Sequence, residues 1–102
     1  MRGKTMGSSL KGKFLVESRL QDAARGNHTA CYDLGICYQT GTAGVGVDLI
    51  EAHKWFNLAA VHGIVAAQQA RTEVACDMTA REIAAAQRAA RDWIAVTQRR
   101  AA

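Results

Sequence analysis

The sequence predicts an all-α fold of about five helices arranged as antiparallel pairs. Three observations carry this. The 102 residues include no proline and 20 alanines, most of them after residue 50, and Ala gives up least on entering a helix. Apolar residues recur at three- and four-residue steps, the period of a helix with one buried face. Glycines at 26, 41, 44, 46 and 63 punctuate those stretches, and glycine readily takes the left-handed conformation that ends a helix. The length fits one domain. With 49% hydrophobic and 22% charged residues, neither a disordered chain nor a membrane protein is indicated.

Residues 1–13 mix glycine, serine and lysine without apolar periodicity, which predicts a flexible basic tail. Phe14, Leu15, Val16, Leu20, Ala23 and Ala24 then predict a first helix ending at Gly26. Asn27 is the expected N-cap of a second, with Ala30, Leu34, Cys37 and Tyr38 on its buried stripe and Gly41 at its end. The glycine-rich segment 41–47 is a loop. Asp48 reads as the N-cap of a third helix to about His62, with Glu51 as a capping-box partner and Ala52, Trp55, Phe56, Ala59 and Ala60 as its stripe. Gly63 separates it from a fourth helix, Ile64 to about Cys76, whose Arg71 interrupts an apolar stripe and needs a partner. Thr79 and Glu82 form a Thr-x-x-Glu box. It opens a fifth helix to about residue 98, along which Ile83, Ala86, Ala90, Trp93, Ile94 and Thr97 share one face. The helical domain is therefore expected over 14–98.

The net charge of +4 equals the charge of the first 13 residues alone. Beyond them the chain is acidic over 14–78 and basic over 79–102, where Arg81, Arg88, Arg91, Arg99 and Arg100 face two acids and Arg88 is expected to pair with Asp92 at i,i+4. Phosphate binding usually draws on a basic domain face rather than a short tail, so nucleic acid is the less favoured partner. The three cysteines, Cys31, Cys37 and Cys76, contain no Cys-x-x-Cys pair. That pattern fits a reducing compartment better than a disulfide framework or a zinc site. No signal-peptide core or membrane-spanning run is present, and a cytoplasmic location is expected.

Gly26 and Gly63 lie 37 residues apart, each following an alanine-rich helix end and each followed four residues later by alanine. The repeating unit is a helix pair. Small residues at Gly35, Ala52, Ala59 and Ala60, beside bulky Leu34, Tyr38, Trp55 and Phe56, allow two helices to approach closely.

At these residues the chain resembles the Sel-one-like repeat family, relatives of the tetratricopeptide helical repeats. The family pattern is met by Ala30, Leu34-Gly35, Tyr38, Gly41, Gly44-Val45, Asp48, Ala52, Trp55-Phe56, Ala59-Ala60, Gly63 and Ala67. The resemblance covers roughly residues 23–94, and residues 48–60 and 76–93 resemble short bacterial members that end in one repeat plus a capping helix pair. It implies a short αα-superhelix with one full repeat, about 27–63, and a C-terminal capping helix pair, about 64–98. Two features depart from the pattern: the loop has one extra residue between Gly41 and Gly44, and Arg71 stands where a further full repeat would place Leu. The resemblance also implies a module that binds other proteins, with no cofactor and no chemistry of its own. Because solenoids usually need about three units for stability, self-association is a further expectation.

The candidates for chemistry are few. His28 and Cys31 share a helical face, but a metal site needs three or four ligands. Cys31 and Cys37 lie about 120° apart around a helix and read as buried small hydrophobes. A cysteine nucleophile with His53 or His62 would require a cleft and an oriented base. Trp55, Phe56 and Trp93 fall on buried stripes, where filling the core outweighs stacking on a ligand. No catalytic, cofactor or metal residue is therefore assigned. On the second helix, Tyr32, Ile36 and Gln39 form a row separate from the buried stripe, and this row is the candidate partner-binding strip. The other function weighed is a small basic binder of nucleic acid or acidic surfaces, acting through the tail and the last-helix arginines.

Overall fold

The structure is a computed structural model that describes residues 2–101, with side chains for 12–99. Five helices follow one another: α1 (Arg2–Ala24), α2 (His28–Thr40), α3 (Leu49–Ala60), α4 (Val65–Ala75) and α5 (Ala80–Ala101). No strand occurs among the described residues. The all-α reading holds, and the order and number of helices match.

The helix ends are set by the expected residues. Asn27 Oδ1 accepts the Ala30 N–H at 3.1 Å, and Gly41, in the left-handed region, closes α2 with its own N–H on the Cys37 carbonyl. Thr79 and Glu82 exchange both bonds of the capping box, at 2.8 and 3.1 Å. The box expected at Asp48 is only half formed. Asp48 Oδ1 accepts the Glu51 N–H at 3.1 Å, but the Asp48 N–H donates to the Tyr38 carbonyl instead. That frees the Glu51 carboxylate for the Trp55 indole N–H and the Lys54 ammonium.

The two glycine joints are the same turn. At Gly26 (φ +96°) the Asn27 N–H reaches back to the Asp22 carbonyl, and at Gly63 (φ +92°) the Ile64 N–H reaches back to the Ala59 carbonyl. Both are the six-to-one bond of a Schellman ending. The joint from α1 to α2 thus repeats the joint from α3 to α4, and α1 stands where the second helix of a preceding unit would stand.

Packing centres on α3, which contacts α2, α4 and α5, while α1 lies against α2. One cluster gathers Val16, Ala23, Ala30, Cys31, Leu34, Trp55, Leu58, Ala59, Ala60, Ala67 and Ala90. A second joins Ala52 and Phe56 of α3 to Ala70 and Val74 of α4. Arg71 finds the partner its position demands: its guanidinium donates to Asn57 Oδ1 at 2.7 Å.

Three expectations are corrected. The first helix starts at Arg2 rather than near Phe14, since nothing in this proline-free stretch interrupts the backbone ladder. The flexible-tail expectation for 1–13 falls mainly on side chains of residues 1–11, outside the described set. At Gly12, within the described set, α1 is buried against the Ala43 backbone. Second, Phe14 and Leu15 stay exposed while Val16 turns inward, because three successive helical residues span some 200° and cannot share one face. Third, the i,i+4 pair expected between Arg88 and Asp92 is not among the ion pairs of the described residues.

Candidate partner-binding surface

Leu34 and Gly35 turn α2 into α3, so Tyr32, Ile36 and Gln39 fall on its flank. All three are half-buried. Tyr32 rests one edge on Phe56, with ring centroids 5.7 Å apart and tilted by 48°, and Ile36 packs on the same α3–α4 cluster. Their outer sides meet solvent. Ile36 and Cys37 also border a shallow hollow of about 320 Å³ against α1, lined by Leu15, Arg19 and Asp33. Arg19 holds its rim, bonding Asp33 at 3.1 Å and reaching Asp22 at 3.7 Å. The row on α2 therefore continues onto α1 through Leu15, one of the apolar residues that predict the first helix. The signal that would have found it is the Arg19–Asp33 charge match, which places Leu15 beside Ile36.

The remaining candidates have structural surroundings. Trp55 is 1% exposed, and Trp93 meets it edge-on at 4.9 Å. Lys54 lies 4.4 Å from the Trp55 ring centroid and 3.2 Å from the Glu51 carboxylate. Cys31 and Cys37 are buried and Cys76 is exposed. Burial pushes the Cys31 thiol up to about 11 against the opposing effect of Lys54, so this thiol is protonated at neutral pH and packs as a hydrophobe. Among the described residues no three His, Cys, Asp or Glu side chains converge as a metal site. His28 faces His62 rather than Cys31: their rings stack 3.6 Å apart and 9° from parallel. On α5, Arg81, Arg88, Arg91 and Arg99 are exposed, while the Arg100 side chain is outside the described residues. No described helix is long and apolar enough to cross a membrane.

His53 is 3% exposed, and its Nδ1 has no hydrogen-bond partner. Desolvation, and then the charge of Arg71, hold its pKa below the ordinary 6.5. The folded protein thus binds this proton less readily than the unfolded chain. The contribution to stability is complete above pH 6.5 and is lost as pH falls toward the lowered folded value. Melting temperature should fall between pH 7.5 and 5, and His53→Leu, which removes both the proton and the orphaned nitrogen, should flatten that dependence. A slope unchanged by His53→Leu would assign it elsewhere.

No curated protein and no solved structure shows significant similarity to the chain. The family model of the Sel1 repeat matches residues 28–63, a span that opens with the first residue of α2, contains the Gly41–Asp48 loop and α3, and closes on the joint glycine Gly63. The capped hairpin, the close approach of the Phe56 ring to Gly35 and the repeated joint give that match a physical form: residues 28–63 of the chain form one Sel1-like repeat.

Proposed function

We propose that the chain is a protein-interaction module with no chemistry of its own, and that Tyr32, Ile36 and Gln39 form its docking strip. Sel1 repeats are helical units that generally mediate protein interactions. One observation carries the assignment of the strip. The α2 row is half-exposed and continues through the Ile36–Leu15 hollow, giving an aromatic, an aliphatic and an amide group in line on a rigid helix. Such a row suits an extended or helical peptide, whose apolar side chains would enter the hollow while Gln39 and the Arg19–Asp33 rim meet its polar groups.

The test pairs capture with folding. Tyr32→Ala with Ile36→Ser should abolish partner capture in a pull-down by the intact chain and move the melting temperature by only a few degrees, since both side chains are half-exposed. Global unfolding of the double variant would make the row part of the core and overturn the assignment. The same pull-down, repeated as salt is raised, separates this reading from a basic binder. Capture that collapses steeply with ionic strength and is replaced by any polyanion would place binding on the α5 arginines instead.

A further inference from the structure

His28 is the first residue of α2 and His62 follows the last turn of α3, so the imidazole stack bridges the open end of the repeat hairpin, opposite the loop of residues 41–48. His62 is tied down: its Nδ1–H donates to the Leu58 carbonyl at 2.9 Å, which leaves Nε2 as its proton-accepting atom. The pair borders a groove of about 250 Å³ between α1, α3 and α5. Arg25, in the turn after α1, is the one charged side chain among its lining residues besides the two imidazoles. The α5 wall offers Trp93, Ile94, Thr97 and Gln98, none of which titrates near neutral pH, and α3 contributes Leu58. No carboxylate among the lining residues is available to neutralise the imidazoles when they charge.

We propose that the His28–His62 stack is a proton-operated latch. With one or both rings neutral it holds the first turn of α2 to the last turn of α3, and when both rings are protonated it releases them.

Parallel aromatic rings in van der Waals contact attract one another, and a single imidazolium stacks well on a neutral ring. Two imidazolium rings 3.6 Å apart repel, with Arg25 adding a third positive charge on the groove side. Only solvent protons are exchanged: each ring takes one from water as pH falls and returns it as pH rises. Burial, and secondarily the charge of His62, hold His28 below its ordinary 6.5, in keeping with a second proton that binds reluctantly. Release frays the ends of two helices and leaves the Gly35–Phe56 contact shut. The surface that responds is therefore the groove beside α5, distinct from the strip on α2.

Two measurements on the intact chain test this. Imidazole C–H resonances followed from pH 8 to 4.5 should place the His28 midpoint below 6.5 in the native protein and move it upward in His62→Gln, which keeps a polar side chain at an exposed position. Amide-exchange protection factors at Thr29–Cys31 and Ala59–Val61 should drop on the order of tenfold between pH 7.5 and 5, and His62→Gln should abolish the drop. Any global acid effect of His53 is present in both proteins and cancels in the comparison. A His28 midpoint unmoved by His62→Gln, equal loss of protection in the two proteins, or no loss in the native one would each overturn the latch.

Discussion

Trp55→Ala should unfold the domain far below its normal melting temperature, at a cost of about 3–5 kcal/mol against a total stability of roughly 5–15 kcal/mol for a domain. Several interactions are removed together. The indole is 1% exposed and sits in the main core cluster with Cys31, Leu34 and Leu58. Its edge-on contact with Trp93 at 4.9 Å joins α3 to α5, and its N–H anchors Glu51 at 3.3 Å. Without it the Lys54 ammonium loses the ring beneath it. Helical circular dichroism against temperature reads the effect, and Trp55→Phe, which keeps most of the ring volume, should lose much less. A Trp55→Ala protein that melts normally would contradict the packing and return this residue to the candidates for ligand contact.

Gly35→Ala should destabilise the hairpin by overpacking the contact between α2 and α3. A Cβ at this position falls within 3 Å of the Cδ1, Cε1 and Cγ atoms of Phe56, a ring that is 0% exposed and wedged against Ala52, Ala70 and Val74. Because the ring has no open side to move toward, α2 and α3 must separate, and overpacking of this kind costs about 1–3 kcal/mol. The same methyl in an unobstructed helix would have stabilised it, since Ala is the better helix former by about 1 kcal/mol. The sign of the change therefore identifies the contact. Shrinking the ring should relieve it: in a double-mutant cycle, Gly35→Ala and Phe56→Leu together should cost less than the sum of the two alone. Additive costs would mean that the methyl does not meet Phe56.

The helices were legible because local chemistry sets their ends: Asn27, Gly41, Asp48, Gly63 and the Thr79–Glu82 box act where the sequence places them. The hairpin core was legible because small and large residues alternate across it. What failed was local periodicity applied where tertiary packing decides. Phe14-Leu15-Val16 offers three apolar neighbours, and only the position of α2 selects Val16 as the buried one. Glu51 matches a capping-box pattern, but the Tyr38 carbonyl claims the Asp48 N–H from 10 residues upstream. Of the proposed docking strip, the half-exposed character was readable from α2 alone, while Leu15 and the Arg19–Asp33 rim depend on how α1 crosses it. The His28–His62 stack was beyond reach, since the two rings stand 34 positions apart in sequence and only the antiparallel hairpin decides their meeting.

The recurrence of one turn at Gly26 and Gly63 makes reach a separate variable from folding. Each joint closes on its own backbone atoms and consults no distant residue, so a helix pair inserted at one of them would meet the turn that already joins α1 to α2 and α3 to α4. An insertion of 37 residues, the spacing of Gly26 and Gly63, would restore the same turn at its end, while the side chains that face outward would be free to differ.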